Sequence, residues 1–187
     1  MTKPTPLIQI RLPTPSEQSS PIFITHTVNL INSAYASTEC NLYKPGKLRT
    51  NAAEVQFWLE THTLYLAFTP DSPYPIGTVR TYKIDATVSD VGILTVHRDA
   101  RALGLGRKLV AHAEMVTVEG GARTARLEML VPKAEGRGEG GSYLRRWYGS
   151  LGYEEVGRVG IAEIVPQLVD CFEEEGEFLV MEKELVG

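Results

Sequence analysis

The stretch Asp90–Glu114, DVGILTVHRDARALGLGRKLVAHAE, decides how this chain folds. Its opening residues, Val91 to His97, are apolar and β-branched, the composition of a buried strand. A turn follows, Arg101-Ala102-Leu103-Gly104-Leu105-Gly106. After it, Leu105, Leu109, Ala113 and Val116 recur at helical spacing as far as Gly120-Gly121. Strand, glycine turn and helix N-terminus together make a place for an anion. Glycine lets the main chain come close, and the first helical N–H groups point outward with the helix dipole behind them. A diphosphate suits those requirements.

Spacing narrows the choice of nucleotide. The dinucleotide pattern G-x-G-x-x-G fails, because Leu109 holds the third glycine position. A phosphate loop ending in Gly-Lys-Ser/Thr fails as well, since Gly106 is followed by Arg107. What remains is R-x-x-G-x-G behind a strand ending in Leu94-Thr95-Val96. Arg107 and Lys108 add positive charge just inside the helix.

On either side of this unit the chain alternates strands and helices without strict periodicity. Leu7–Leu12 reads as a strand, Pro13–Pro21 as a Pro/Ser-rich turn or loop and Ile22–Thr38 as a helix. Asn51, with Glu54 three residues on, caps a short helix through Glu60. Leu64–Phe68 and Ile76–Tyr82 are strands joined by the turn Pro70–Pro75. Ala125–Val131 is another strand, and the glycine-rich segment Ala134–Gly141 a loop. Ser142 is placed as the cap of a helix whose inner face is Leu144, Trp147, Tyr148 and Leu151. Tyr153–Val159 and Glu177–Lys183 close the pattern. The order β-α-α-β-β-β-α-β-α-β-β indicates an α+β fold with a mixed sheet, in one domain spanning residues 1–187.

Composition sets bounds on function. The 187 residues are enough for a core that needs no disulfides or metal. A formal net charge of −4 argues against a nucleic-acid partner. Cys40 and Cys171 form neither a metal-ligand spacing nor a disulfide framework and read as reduced thiols. No apolar run approaches the roughly 18 residues of a membrane span, and Met1–Pro6 has no signal-type hydrophobic region, so a cytoplasmic protein away from membranes is expected. The histidines His26, His62, His97 and His112 form no metal-binding cluster. His97 reads as a solvent-facing loop residue and His112 as exposed on its helix. Homodimerisation stays open.

The R-x-x-G-x-G turn, the strand before it and the later Trp147-Tyr148-Gly149-Ser150-Leu151-Gly152-Tyr153 together resemble the GNAT acetyltransferases. The order of elements does so along nearly the whole chain. The resemblance implies a central twisted sheet of six to seven strands flanked by about four helices. It also implies acetyl-coenzyme A as co-substrate, no metal, and transfer of the acetyl group to a primary amine by direct attack. Residues 101–107 would hold the diphosphate. Leu94, Thr95 and Val96 would lend main-chain groups to the pantetheine arm, on a strand that splays from its neighbour in this family.

By the same resemblance Tyr148 is the acid that protonates the leaving thiolate. Asp90 stands where relatives often carry a glutamate base, and bulk water is the alternative. Ser142 would bond the cofactor arm in place of an asparagine. One of Arg137, Arg145 and Arg146 would meet the 3′-phosphate. Tyr143 and Tyr153 read as packing residues, and the acidic run Glu173–Glu175 as a solvated loop. The acceptor pocket is expected from Ile31–Arg49, Pro70–Pro75 and Ile164–Phe178. These segments bring Tyr35, Tyr43, Tyr74 and Phe172 with few net charges, which favours a small amine with an apolar part. The competing readings are a non-catalytic acyl-CoA sensor and a protein N-terminal or lysine acetyltransferase.

Overall fold

Residues 7–39, 42–132, 139–172 and 176–185 are described by a computed structural model. In chain order the elements are β1 (Gln9–Arg11), α1 (Pro15–Gln18), α2 (Pro21–Thr38), α3 (Ala52–Glu60), β2 (Leu64–Phe68), β3 (Gly77–Lys83) and β4 (Val88–Val96). They continue with α4 (Leu105–Glu119), β5 (Thr124–Pro132), α5 (Glu139–Gly149), β6 (Glu154–Gly160), α6 (Ile161–Ile164) and β7 (Gly176–Glu184). Turns of 3-10 helix cover Arg98–Leu103 and Pro166–Cys171. The strands form one mixed sheet, ordered β1-β2-β3-β4-β5-β7-β6. Every neighbouring pair is antiparallel except β4 and β5, which run parallel.

The four expected helices are the four long ones, and local chemistry sets their starts. Ser20 accepts the Phe23 N–H at 3.3 Å ahead of Pro21, and Asn51 accepts the Glu54 N–H at 3.0 Å. The reading of Pro13–Pro21 as turn or loop is corrected: α1 forms there. Thr14 and Glu17 make a capping box, and Arg11 clasps Glu17 at 2.7 Å. Burial of Glu17 is outweighed by these bonds, which bring its carboxyl down to about 2.

Each face of the sheet has its own core. On one, α4 lays Leu105, Leu109, Val110 and Ala113 against Val79, Val91, Leu127 and Leu179. Fully burying a side chain of this size contributes about 1.5–3 kcal/mol. On the other, Phe23 and Ile31 of α2 and Val55, Trp58 and Leu59 of α3 cover Leu64, Leu66 and Ile93. A third cluster, Leu42, Leu130, Phe172 and Phe178, closes the far part of that second face. Among the described residues no helix is long and apolar enough to cross a membrane.

Candidate active site

The site begins where the parallel pair comes apart. Register between β4 and β5 holds for Val88↔Thr124, Ser89↔Ala125 and Asp90↔Arg126 and then stops. From Val91 to Val96 the edge of β4 that faces β5 has no strand partner among the described residues. The cause lies in β4. Thr78 pairs with Thr95 but Arg80 with Gly92, so β4 uses three steps where β3 uses two. Such a bulge bends its strand and increases the twist. Ile93 stands in it at φ 48°, a conformation that costs a β-branched residue on the order of 1–2 kcal/mol. Two contacts hold it there: the buried Thr78 hydroxyl donates to the Ile93 carbonyl at 2.8 Å, and the Ile93 side chain is packed under α2 and α3. The resulting wedge holds a cavity of about 630 Å³.

One end of the cavity is made of main chain. Gly104 has φ 68° and ψ 15°, and nothing lies within 4 Å of where a Cβ would stand. The glycine serves the left-handed turn and close approach, not packing. The first bond of α4 runs from the Lys108 N–H to the Gly104 carbonyl at 3.3 Å, so the N–H groups of Leu105, Gly106 and Arg107 precede the helical ladder. At Gly106 a Cβ would meet the Trp147 ring at 3.3 Å, which ties this turn to α5. Leu94, Val96, Arg101, Gly104, Gly106 and Arg107 all line the cavity. Arg101 donates to the Ser37 hydroxyl at 2.9 Å, and Arg107 to the Ser150 hydroxyl at 3.2 Å. Thr95, Leu103 and Leu105 turn their side chains into the protein, and the backbone of Ala102 belongs to the 3-10 turn.

The other end is made of side chains from distant segments. Asp90 is 5% exposed in the interior of β4, which begins three residues earlier than the strand read from Val91. Burial holds its carboxyl well above the usual range, and the neighbouring Glu128 carboxyl, within hydrogen-bonding reach, adds to the effect. The register explains the pairing: Asp90 stands opposite Arg126, and Glu128 is two residues further along the same face of β5. Asp90 therefore holds its proton to a higher pH than a free aspartate does. Tyr148 meets the rings of Trp147 at 4.8 Å and Tyr153 at 5.8 Å while lining the cavity. Burial raises its phenol pKa and Tyr35 raises it further, so it stays protonated at neutral pH. Tyr35, Glu39, Tyr43 and Arg49 complete this end, with the Arg49 guanidinium 5.3 Å from the Tyr35 ring. Burial pushes the Tyr35 phenol up to about 12 and the Glu39 carboxyl up to about 7.

Other expectations need correction. Ser142 is not a cap, because α5 already begins at Glu139; the glycines at 140 and 141 had suggested loop but are helical. Arg145 turns away from the cavity to pair with Glu155 of β6. Tyr143 is 61% exposed at the cavity rim, so it is no packing residue, whereas Tyr153 is buried as expected. His112 is partly buried against Tyr65, its ring centroid 4.8 Å from that of the tyrosine, and burial lowers its pKa. His97 is exposed and caps the 3-10 turn by accepting the Asp99 N–H at 3.4 Å. The turn Pro70–Pro75 does not reach the cavity; Tyr74 stacks on His26 instead, and His62 contacts Gln18. The acceptor end draws charged groups from outside the expected segments: Glu39 and Arg49 come from those segments and offset each other, and Arg80, Asp90 and Glu128 join them from β3, β4 and β5. Cys40, Arg137, the loop residues 134–138 and Glu173–Glu175 lie outside the described residues. Among those described, no group of three or more His, Cys, Asp or Glu could hold a metal ion.

A splayed parallel pair with a helix N-terminus at its open end is the arrangement that the acetyltransferase resemblance implies. The chain belongs to the acetyltransferase (GNAT) family, which matches residues 31–135. A sequence comparison with curated proteins found no match. In three dimensions the chain is similar to an aminoglycoside 6′-N-acetyltransferase complexed with coenzyme A. Identity is 15%, the alignment covers 96% of this chain and 98% of that one, and the TM-score is 0.67. It is similar too to a GNAT acetyltransferase from Elizabethkingia anophelis with acetyl-CoA bound (15%, 95% and 98%, TM-score 0.61). A third likeness is to a chain of the NatC complex bound to Gag peptide and CoA (15%, 96% and 99%, TM-score 0.64). At this identity the three establish the fold.

Proposed function

We propose that the protein transfers an acetyl group from acetyl-coenzyme A to the primary amine of a small molecule, by direct attack with both substrates bound. The observation that carries this is the single cavity joining an anion cradle to a buried acid–base group. The cradle suits a diphosphate: free helical N–H groups, open space beside Gly104, and Arg107 at the rim. The unpaired edge of β4, Val91 to Val96, offers main-chain donors and acceptors to an amide-bearing arm. When bound, the co-substrate supplies an activated thioester.

The chain's own groups then align the reactants and move protons. Alignment is the larger contribution, worth up to about 7–11 kcal/mol. The Asp90–Glu128 pair accepts the proton that the attacking amine must lose. Tyr148 holds its proton at the phenol oxygen and donates it to the sulfur as the C–S bond breaks. Tyr35, Tyr43, Leu130 and Phe178 line the acceptor end with apolar surface, which supports a small amine with an apolar part as the occupant.

Calorimetric titration with acetyl-CoA and a thiol-release assay over a panel of amines test the reading together. Binding followed by amine-dependent thiol release is expected. Binding without release from any amine would leave a sensor. Tyr148→Phe should lower kcat about 10- to 100-fold while acetyl-CoA affinity stays within a few-fold; an unchanged kcat removes Tyr148 from the acid role.

A further inference from the structure

Arg80 is held ready for a partner that the protein itself does not provide. Its guanidinium lies 4.2 Å from the Tyr82 ring and 5.1 Å from that of Trp58, within cation–π range of both. Its Nε is buried without a hydrogen-bond acceptor, and no carboxylate among the described residues comes within ion-pair distance of it. A buried donor left unmet is costly, and Arg is the residue suited to forked recognition of a carboxylate. The simplest alternative is that Arg80 serves as counter-charge to Asp90 and Glu128. Arg80 does act on Asp90 through its charge, but the Asp90 carboxyl is within hydrogen-bonding reach of Glu128 and forms no direct ion pair with Arg80, so the guanidinium keeps donors to offer.

The strand register shows what the guanidinium faces. Arg80 stands opposite Gly92, and Tyr82 opposite Asp90. All four lie on one face of the sheet, and Gly92 leaves a gap in it that the Asp90 carboxyl overhangs, with Oδ2 3.1 Å from where a Cβ would be. Arg80 and Asp90 are therefore diagonal neighbours, the relation in which long side chains on one face of a strand pair come within reach of each other. A ligand that carries an ammonium and a carboxylate on one carbon can meet both, its ammonium donating to Asp90 and Arg80 donating to its carboxylate.

We propose that Arg80 binds the α-carboxylate of the acceptor, so that the acceptor is a free α-amino acid whose ammonium is thereby set against Asp90. This rests on the acetyl-transfer reading above and names its substrate class. Tyr35, Tyr43, Met129 and Phe178 line the remaining space, which makes apolar side chains the better occupants.

The test uses the full chain with acetyl-CoA and apolar L-amino acids, each paired with its carboxamide and its decarboxylated amine. The acid of a pair should show a KM about 10- to 100-fold below the other two. Arg80→Met should raise the KM of the acid by that factor and leave the KM of the amide within about threefold. Arg80→Lys should restore part of the difference, and acetyl-CoA affinity by calorimetry should be unchanged in both variants. Amides or amines turned over as well as the acids would overturn the carboxylate assignment and leave acetyl transfer standing. Arg80→Met with the acid preference intact would overturn it also. Silence from the whole panel with acetyl-CoA bound would overturn it together with the small-molecule acceptor. Failure to bind acetyl-CoA would instead bring down the reading on which it rests.

Discussion

The two ends of the cavity are built on opposite plans. The donor end uses the main chain of one continuous stretch, from Leu94 to Arg107, and presents backbone N–H groups at an exposed turn. The acceptor end uses side chains from α2, the segment after it, β3, β4, β5 and α5, several of them buried and ionisable. On the proposed reading, backbone donors would meet what is common to every molecule of coenzyme A, and they are indifferent to which side chains surround them. Side chains gathered from several elements can be exchanged singly, so the acceptor end is where specificity is able to change.

Three substitutions probe this contrast. The largest effect is expected from Asp90→Asn, which should reduce kcat about 10²- to 10⁴-fold in single-turnover assays with acetyl-CoA affinity preserved. A loss below tenfold would move the base role to Glu128 or to water. The same variant carries a stability signature. Folded Asp90 keeps its proton well above the ordinary 3.8, where the unfolded chain has lost it, so wild-type stability falls as pH rises beyond that value. At pH 7 the asparagine variant should therefore resist urea better than wild type while working worse.

Gly104→Glu comes next, and it should weaken acetyl-CoA binding at least about 100-fold by putting a carboxylate on the anion cradle. The left-handed turn adds about 1–2 kcal/mol of strain, so a circular-dichroism melt should still show a folded protein. Normal affinity in a folded Gly104→Glu protein would break the assignment of the donor end.

The smallest effect belongs to Glu39→Gln. The Glu39 carboxyl is raised from 4.5 to about 7 by burial. The unfolded chain ionises first as pH rises, so this residue costs stability progressively between pH 4.5 and 7 and by a constant amount above. Urea melts at pH 5 and pH 8 should show wild type losing on the order of 2–3 kcal/mol more than the variant between them. Parallel pH profiles would mean that Glu39 is not kept protonated.

The same contrast explains what could be read from the residues alone. Arg101, Gly104 and Gly106 announce the donor end because turn geometry constrains residue type locally, and the strand and helix beside them follow from hydrophobic period. Tyr148 stood out by resemblance, through its spacing to Gly152 and Tyr153, and it lines the cavity. Glu128 and Arg80 were not: each sits in an ordinary strand, and only the register of three strands brings them beside Asp90. Ser142 and Arg145 were misplaced because the glycines at 140 and 141 resemble loop, while the helix they join begins earlier and points Arg145 toward β6. The capping box in Thr14–Glu17 was visible in principle and was hidden by the prolines on either side.

The extra residue at Ile93 reverses the phase of its strand. Before it, even-numbered residues such as Asp90 and Gly92 look toward α2 and α3; after it, odd-numbered Thr95 does, opposite Thr78. One strand can thus serve the acceptor with its first half and the donor with its second. Deleting or adding a single position there would exchange the two faces for everything downstream, a frameshift in space. Grafting another acceptor preference onto this scaffold therefore has to preserve the count of residues from Asp90 to Val96 before it considers their identities.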